Sequence, residues 1–368
     1  MTLRVVGVAG PNEEWLAGLS PWPEEFGLGR VHRLLADLGE PQRRYPAIHI
    51  VGTNGKTSTT LMTAALLVGA GLRVGATVSP HIRGFAERIQ VDGTAVDLEA
   101  ALARVRPLAE GATQFEVLIA AALAEFAERE VDVAVVEAGL GGRHDATNVL
   151  AAPIVVLTNV SLDHTEYLGD TREAIAAEKL AVVTDGAHVV LGEPEWEAMA
   201  RAAGAAAVTL AGSNEDLAVA AAEAYLGARV DPGAARGLTV PGRLEMRSGR
   251  PFEIRDGAHN LAGARYLLER LPDRRFTIVA SILADKDAES MLETLARAGV
   301  TLVATASANP RALPAEALAA LAGNHFHQVQ IEPDPSSALA LARALAGPDG
   351  AVLVTGSLYL IAELSADA

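Results

Sequence analysis

Short hydrophobic runs alternate with longer, alanine-rich segments along most of the chain. In the first two thirds, runs rich in valine and isoleucine predict strands at 47–51, 74–78, 131–136, 154–158 and 188–191. Segments with helical periodicity lie between them, at 56–70, 97–109, 113–130 and 171–180. This alternation is typical of βαβ units built around a parallel sheet.

The same alternation returns towards the C-terminal end. Strands are predicted around Ile254 and at 276–280, 302–305, 327–331 and 351–354, with helices near 260–271, 287–298, 314–322 and 336–346. The stretch LGARVDPGAARGLTVPGRLE carries glycines and two prolines without a sustained period, so we place a domain boundary near residue 238. The sequence therefore predicts two α/β domains, residues 1–238 and a smaller domain of residues 239–368.

The composition narrows the class of protein. The chain of 368 residues is 50% hydrophobic, and its net charge of −16 opposes nonspecific nucleic-acid binding. It has no cysteine, so disulfides, thiolate metal sites and cysteine nucleophiles are excluded, and a metal would need oxygen or imidazole ligands. No hydrophobic run is long enough to span a membrane, and no signal peptide is recognisable. We therefore expect a cytoplasmic protein that binds neither membranes nor nucleic acid.

The stretch IHIVGTNGKTSTTLMTAALL predicts a strand, a glycine-bracketed loop and a helix. Such a loop points backbone N–H groups and the positive end of the helix at one place, which suits a phosphate. Gly52 and Gly55 would allow the tight turn, and Lys56 would reach the outer phosphates. A hydroxyl from Thr57 or Ser58 would bind the accompanying Mg²⁺. A plain turn with a surface lysine is the alternative, and the strand context and the run of hydroxyls favour nucleotide binding.

Two further predicted strands end in polar residues. Glu137 ends the strand of VDVAVVEAGLGGRHDATNV, and Asp163 and His164 follow the strand of VVLTNVSLDHTEYLG. The carboxyl ends of parallel strands share one rim of a sheet, so we expect these side chains beside the phosphate loop. There Glu137 would bind the Mg²⁺ of ATP, and neutral imidazole is a reasonable ligand for Mg²⁺ or Mn²⁺. Each residue alone would be interpreted as a solvated glutamate or a structural histidine, but their convergence with Lys56 favours a site.

Together these motifs resemble the Mur ligase superfamily and, within it, the folylpolyglutamate synthase/dihydrofolate synthase family. The matching segments are HIVGTNGKTS, SPHIRGFAERI, TQFEVLIAAALAEF, VVEAGLGGRHDATNV, NVSLDHTEYLGDTREAIAAEK, PGRLE, DGAHN, DKD and GSLYLIAE, in family order from about residue 24 to residue 363. The resemblance implies a P-loop-containing parallel-sheet N-terminal domain, a smaller Rossmann-like C-terminal domain and an ATP-dependent ligase. The carboxylate of dihydropteroate or of a folate would become an acyl phosphate, which the amine of L-glutamate would attack.

The resemblance also implies roles for site residues. The ATP site would comprise Gly52, Thr53, Asn54, Gly55, Lys56, Thr57 and Ser58, joined from the second domain by Arg243, Asp256 and His259. Ser79 and Glu137 match the ligands of one Mg²⁺, and His164 matches a ligand of a second. Lys179 matches a lysine that the family carries carbamylated, and the added carboxylate would help to hold the second ion. The resemblance therefore makes Lys56, Lys179 and His164 the expected catalytic residues.

Substrate-binding positions follow from the same resemblance. The pterin side would use Thr113, Phe115, Glu116, His144, Asp145 and Ala146, together with an N-terminal segment around Gly27, Leu28 and Arg30. Phe115 could equally belong to the core, because FEVLIAAALAEF is strongly hydrophobic. The chain departs from the family pattern at Thr57, where glycine is usual, and at Leu217, where the family has an asparagine on the adenine side.

Two other functions remain open at this stage. The first is a Mur-type ligase that acts on another acid, such as a peptidoglycan precursor, and the stretch EAGLGGRHDATN argues against it. The second is a nucleotide-binding module without ligase activity, and the complete set of polar residues argues against that. The sequence does not distinguish dihydrofolate synthesis from polyglutamate extension, since both reactions share the same ATP and glutamate chemistry. We expect ATP and two Mg²⁺ ions as cofactors, leave a monovalent cation open, and expect a monomer whose partners are small-molecule substrates.

Overall fold

The computed structural model describes residues 10–366, which form two compact units. The first unit comprises residues 10–81 and 85–238, and the second comprises residues 239–366 together with residues 82–84. Each unit has its own sheet with helices packed against it. The predicted fold class, a parallel-sheet α/β domain followed by a smaller α/β domain, is confirmed.

The first unit is built on an eight-stranded sheet. Its strands are β1 (Ala47–Val51), β2 (Val74–Thr77), β3 (Ile89–Val91), β4 (Thr94–Ala95), β5 (Val133–Glu137), β6 (Ile154–Leu157), β7 (His188–Leu191) and β8 (Ala207–Leu210). Its helices are α1 (Pro11–Gly18), α2 (Gly29–Asp37), α3 (Lys56–Gly69), α4 (Leu98–Val105), α5 (Gln114–Glu128), α6 (Thr165–Leu168), α7 (Arg172–Leu180), α8 (Glu197–Ala202) and α9 (Asn214–Leu226). The strand order is β4-β3-β2-β5-β1-β6-β7-β8, with only β3 and β4 antiparallel to their neighbours. Strands β5, β1 and β6 are therefore adjacent, and their carboxyl ends share one rim.

Strand β1 lies in the middle of this sheet and is completely buried. Side chains alternate between the faces of a strand, and accordingly Ile48 and Ile50 pack in one hydrophobic layer while Ala47 and Val51 pack in the other. Burial on both faces explains why β1 is a nearly continuous hydrophobic run rather than an alternating one. The exception is His49, a polar residue buried in the middle of the strand.

The second unit is built on a six-stranded sheet. Its strands are β9 (Glu245–Arg247), β10 (Phe252–Arg255), β11 (Thr277–Ala280), β12 (Thr301–Ala304), β13 (Gln328–Ile331) and β14 (Ala351–Thr355). Its helices are α10 (Leu261–Leu268), α11 (Ala288–Leu295), α12 (Ala315–Ala322), α13 (Pro335–Ala346) and α14 (Leu358–Ala366). The strand order is β13-β12-β11-β14-β10-β9, and only β9 is antiparallel. Strands β10, β14 and β11 form its buried centre.

The predicted strands and helices are confirmed, with small shifts at their ends. The hydrophobic pattern did not predict the short strands β3, β4, β8 and β9, because so few residues cannot display a clear alternation. Strand β8 also lies at a sheet edge and is only partly buried, so its residues lack the hydrophobic signal of the central strands. None of the helices within residues 10–366 combines the length and hydrophobicity that crossing a bilayer requires.

Candidate active site

The loop between β1 and α3 depends on two glycines. Gly52 has a φ of +149° and Gly55 a φ of +84°, both in the region that favours glycine. A Cβ atom on Gly52 would lie 1.8 Å from Oγ1 of Thr158, and one on Gly55 would lie 2.4 Å from Oδ1 of Asn214. Neither position can carry a side chain without displacing its neighbours. The backbone therefore stays bare, which allows phosphate oxygens to approach its N–H groups.

Residues that follow β6 hold this loop in place. The Thr158 hydroxyl donates to the Asn54 carbonyl at 2.7 Å, and the Asn159 side chain accepts from the Asn54 N–H at 3.0 Å. The Thr53 N–H donates to the Asn159 carbonyl at 2.9 Å, and the Thr53 hydroxyl contacts the backbone of Ser161. The sequence patterns did not predict this clamp, although the polar residues of LTNVS at a strand end were an available signal. The clamp fixes the shape of the loop independently of a ligand.

Two lysines point at the same backbone oxygen. Nζ of Lys56 lies 3.1 Å from the Gly52 carbonyl oxygen, and Nζ of Lys179, from α7, lies 2.9 Å from it. Lys179 is 3% exposed, and burial together with the charge of Lys56 lowers its pKa to about 7, although nearby carboxylates act in the opposite direction. Near neutral pH, a substantial fraction of Lys179 is therefore a neutral amine with a free lone pair.

Hydroxyl and carboxylate oxygens meet at the start of α3. The Thr57 hydroxyl donates to Oε1 of Glu137 at 3.0 Å, and Oε2 of Glu137 accepts from the Ser79 N–H at 2.9 Å. Glu137 is 2% exposed, and the neighbouring Ser58 is also buried. Hard oxygen donors of this kind fit Mg²⁺. Within residues 10–366 no three histidine, aspartate or glutamate side chains form a metal cluster, so an ion here would take the rest of its ligands from hydroxyls, phosphates and water.

His164 follows β6 and precedes α6 with a φ of +50°, which is uncommon for a residue other than glycine. Its N–H donates to Oδ1 of Asp163 at 3.0 Å, and its Nε2 lies 4.0 Å from the same oxygen. Asp163 is buried, and its charge acts on Lys179. The imidazole is partly exposed beside these residues, so it remains accessible to a ligand.

The loop after β5 packs against the helix that carries Lys179. A Cβ atom on Gly142 would lie 2.7 Å from the carbonyl oxygens of Glu178 and Lys179, so the loop can approach this closely only because the residue is glycine. The Arg143 N–H donates to the Glu178 carbonyl at 3.1 Å, and the Arg143 side chain pairs with the Glu178 carboxylate at 3.2 Å. The glycine run of GLGGR therefore brings the residues that follow it close to Lys179, and Asp145 acts electrostatically on that lysine.

Asp145 is 6% exposed and accepts hydrogen bonds from two residues of its loop. Its Oδ2 accepts from the Leu140 N–H at 2.7 Å, and its Oδ1 accepts from the N–H of Thr147 at 3.0 Å and from the Thr147 hydroxyl. Burial raises the pKa of the Asp145 carboxyl, and these hydrogen bonds act in the opposite direction.

Three predicted substrate residues meet at the start of α5. The Thr113 hydroxyl accepts from the Glu116 N–H at 3.2 Å, and the Glu116 carboxylate accepts from the Thr113 N–H at 2.8 Å, which is a capping box. Both carboxylate oxygens of Glu116 also accept from Nε of Arg30 at 3.1 Å. These contacts explain the residues as a helix cap and an ion pair, and a direct contact with substrate stays a prediction.

Phe115 lies beside the loop after β5. A Cβ atom on Gly139 would lie 2.6 Å from the Phe115 ring, so the ring packs directly on the glycine backbone. The ring packs against the core of the first unit but is only partly buried, which leaves aromatic surface for a ligand. The other predicted positions are Gly27 and Leu28 just before α2, the exposed His144 and the buried Ala146.

In the second unit, the predicted nucleotide residues surround the end of β10. The Asp256 carboxylate accepts from two backbone N–H groups, at 2.7 and 2.8 Å. Burial raises the pKa of Asp256, and the charge of Arg243 acts in the opposite direction. Nδ1 of His259 lies 2.9 Å from a backbone carbonyl oxygen in the same loop. These residues form one polar group, and their contact with ATP stays a prediction.

Leu217 occupies the position where an adenine-side asparagine was expected. It is buried in a hydrophobic layer with residues of α3, so it packs in the core of the first unit. Asn214, earlier in the same helix, lies against Gly55 instead. No sequence motif marked Asn214, and its place at the start of α9 was the only available signal.

Two domain families match the chain. The Mur ligase middle domain matches residues 50–229, and the glutamate ligase domain of Mur ligases matches residues 242–358. The first range contains Lys56, Glu137 and Lys179, and the second contains Arg243 and Asp256. The matched ranges therefore include the candidate residues of both units.

Individual proteins are similar over nearly the whole chain. A Mycobacterium tuberculosis protein named dihydrofolate synthase/folylpolyglutamate synthase is 36% identical to this chain over an alignment of 388 positions. The alignment covers 83% of this chain and 80% of that protein. The structure of E. coli FolC in complex with DHPP and ADP has a TM-score of 0.88 at 28% identity and covers 98% of each chain. A Yersinia pestis bifunctional folylpolyglutamate synthase/dihydrofolate synthase with Mn, AMPPNP and L-glutamate bound has a TM-score of 0.86 at 27% identity, covering 100% of this chain and 99% of that one.

Proposed function

The chain belongs to the Mur ligase superfamily, in the folylpolyglutamate synthase/dihydrofolate synthase family, and from that premise we propose that it joins L-glutamate to the carboxylate of dihydropteroate or of a reduced folate. It is an ATP-dependent ligase that works with a divalent metal. The observation that carries the proposal is the convergence of Lys56, Thr57, Glu137 and Lys179 around one bare glycine loop.

The reaction consists of two displacements. A carboxylate oxygen of the substrate attacks the γ-phosphorus of ATP, ADP leaves, and an acyl phosphate forms. The neutral amine of glutamate then attacks the acyl carbon, phosphate leaves, and the nitrogen loses a proton to become an amide. Negative charge on the transferring phosphoryl oxygens must be neutralised, and the loop N–H groups and Lys56 supply positive charge there. For this, Lys56 exchanges its hydrogen bonds to the Gly52 and Thr53 carbonyls for phosphate oxygens.

Thr57, Ser79 and Glu137 are the residues that would hold one Mg²⁺, and His164 and a modified Lys179 would hold a second. Bound there, such ions would neutralise phosphate charge and orient the phosphates for in-line attack. Glu137 is held by the Ser79 N–H through one oxygen, so its other oxygen has a fixed direction towards Thr57. This fixed carboxylate lowers the entropic cost of binding an ion.

We propose that Lys179 is carbamylated. Its neutral Nζ attacks the carbon of CO₂, an N–C bond forms and one proton is released, which converts an amine into a carboxylate. The lowered pKa supplies the neutral amine that this step needs. The new anion would attract Lys56 instead of competing with it for the Gly52 carbonyl.

The contacts of Thr57 predict which hydroxyl matters for the metal. Thr57→Val removes the hydroxyl that reaches Glu137 and keeps the shape of the side chain, so we expect the Mg²⁺ concentration for half-maximal activity to rise by about tenfold. Ser58→Ala is the matched control, because it removes a buried hydroxyl from the next residue and should leave the requirement unchanged. A Mg²⁺ titration of ADP release measures both variants. A larger effect of Ser58→Ala would reverse the assignment.

His164 provides a second test of metal binding. His164→Ala is expected to raise the Mg²⁺ requirement by at least about tenfold, with a larger gain from Mn²⁺ than in the parent protein, because Mn²⁺ depends less on the exact ligand set. His327→Ala, which removes an exposed imidazole at a position outside the predicted site residues, is the control. Activity is measured against each metal ion in turn. An unchanged metal dependence of His164→Ala would remove the histidine from the metal site.

The acyl phosphate can be tested by isotope transfer. If heavy oxygen is placed in the substrate carboxylate, one labelled atom should appear in the released phosphate, because the acyl C–O bond breaks when glutamate attacks. Mass spectrometry of the phosphate measures this transfer. Unlabelled phosphate from a complete, glutamate-dependent reaction would exclude the intermediate.

We propose that the protein acts as a cytoplasmic monomer. Sedimentation of the protein with and without nucleotide measures the oligomeric state, and a stable dimer in both conditions would contradict the proposal.

A further inference from the structure

A row of buried polar groups runs from the middle of the first sheet to Asp145. His49 of β1 is 0% exposed, and its Nε2 lies 2.8 Å from Oγ1 of Thr147, which is also 0% exposed. The Thr147 hydroxyl donates to Oδ1 of Asp145, and the Thr147 N–H reaches the same oxygen at 3.0 Å. The three side chains therefore form one continuous hydrogen-bonded row that ends on a carboxylate.

The direction of this row follows from its proton inventory. The Thr147 hydroxyl has one proton and donates it to Asp145, so it must accept a proton from Nε2–H of His49. Nδ1 of His49 has no hydrogen-bond partner within residues 10–366. A proton on Nδ1 would therefore be a buried donor with no acceptor, which disfavours the other tautomer. Each donor points from His49 through Thr147 towards Asp145.

His49 occupies a position in a buried strand where a hydrophobic side chain is usual. The other residues of β1 are hydrophobic, and burying an imidazole among them costs free energy. Burial lowers the pKa of His49 to about 4, so the ring is neutral. Burial raises the pKa of Asp145, and the Thr147 hydrogen bonds oppose that rise. The polar row thus supplies donors that favour the ionised form of a buried carboxylate.

Asp145 lies beside an aromatic surface. The backbone of Gly139 contributes a hydrogen bond to the Asp145 carboxyl, and the Phe115 ring packs on Gly139. A flat ring stacked near Phe115 would therefore come close to a fixed anion. The 2-amino-4-oxo edge of a pterin presents neighbouring N–H donors, which pair well with a carboxylate.

We propose that His49 and Thr147 are positioning residues that hold the Asp145 carboxylate, ionised and in one orientation, for the N–H donors of a pterin ring. This inference rests on the proposed function, because it takes the ring of dihydropteroate or a folate as the ligand. His49 and Thr147 touch Asp145 or each other and act on the ring only through it.

Binding measurements on a matched pair of variants test the inference. Thr147→Val keeps the shape of the side chain and removes the hydroxyl, and Thr147→Ser keeps the hydroxyl. We expect Thr147→Val to raise the Kd for dihydropteroate by about tenfold or more and Thr147→Ser to bind like the parent protein. The Kd for a nonhydrolysable ATP analogue, measured by the same calorimetry, should be the same in all three proteins. If the Thr147 hydroxyl has only a structural role, Thr147→Val should weaken the binding of both ligands or of neither.

A second pair applies if Thr147→Val does not fold, as judged by circular dichroism and thermal melting. His49→Gln retains an N–H that can donate to Thr147, whereas His49→Leu removes the donor and suits the hydrophobic layer. We expect weaker dihydropteroate binding for His49→Leu, recovery for His49→Gln and unchanged nucleotide binding for both.

The outcomes separate the two claims. Equal dihydropteroate affinity in the parent protein, Thr147→Val and His49→Leu would overturn the role of the polar row and leave the proposed function intact. A parent protein that binds neither dihydropteroate nor tetrahydrofolate would overturn the proposed function and, with it, the ligand assigned to Asp145.

Discussion

Lys56→Ala is expected to lower kcat by at least about 10²–10³-fold, the cost of losing one preorganised charge donor in a phosphoryl transfer. Lys56 begins α3 and points back over the loop, with Nζ at 3.1 Å from the Gly52 carbonyl oxygen. From there it can reach the outer phosphates of ATP, where negative charge accumulates during transfer. The measurement is glutamate-dependent ADP release at saturating substrates, with thermal melting to show that the fold is kept.

Lys56→Met is the matched variant for this test. It keeps most of the hydrophobic stem and removes only the charge, so it should be as inactive as Lys56→Ala if the ammonium is what matters. The KM for the acid substrate should change far less than kcat, because the lysine acts on the phosphates. Near-normal kcat in either variant would refute the assignment of the loop to ATP.

The second large effect is expected at Lys179. A carbamate can form only on a lysine, so Lys179→Met and Lys179→Arg should both lose about 10²-fold or more in kcat. Arginine keeps a positive charge and a donor towards the Gly52 carbonyl. Its failure would therefore show that the cation of Lys179 is not what catalysis needs. The same ADP-release assay measures both variants.

The carbamate can also be tested directly in the parent enzyme. Protein depleted of CO₂ at mildly acidic pH should lose activity and regain it when bicarbonate is added, and intact-mass or peptide analysis at neutral pH should find the modified lysine. Full activity of Lys179→Arg, or a fully active enzyme whose Lys179 stays unmodified, would contradict the proposal.

The sequence was informative where chemistry depends on strand ends. Lys56 and Glu137 were predicted to converge because the carboxyl ends of adjacent parallel strands meet at one rim, and the contacts of Thr57 with Glu137 bear this out. Gly52 and Gly55 were also assigned to a tight phosphate-binding turn from the sequence, and their positive φ values and close neighbours agree with that assignment. Lys179 was different, because a lysine beside a glutamate on a helix has no chemical signature until its burial is known.

The sequence did not predict contacts between residues that are distant along the chain. Thr158 and Asn159 clamp Asn54 from more than a hundred residues away, and the polar residues at the end of their strand do not indicate which residue they contact. In the sequence, His49 is an isolated polar residue in a hydrophobic strand. Its partner Thr147 lies almost a hundred residues later, in the loop after β5. Such pairings arise from tertiary packing, which periodicity does not encode.

The most direct test of the account is glutamate-dependent ADP release by the purified protein, measured side by side with dihydropteroate and with tetrahydrofolate as the acid. We predict that at least one of the two supports release that requires glutamate, ATP and Mg²⁺ together and yields the glutamylated product. The pair of rates also decides between dihydrofolate synthesis and polyglutamate extension. An active-site-intact protein that releases no ADP with either acid, or releases it equally without glutamate, would contradict the central claim.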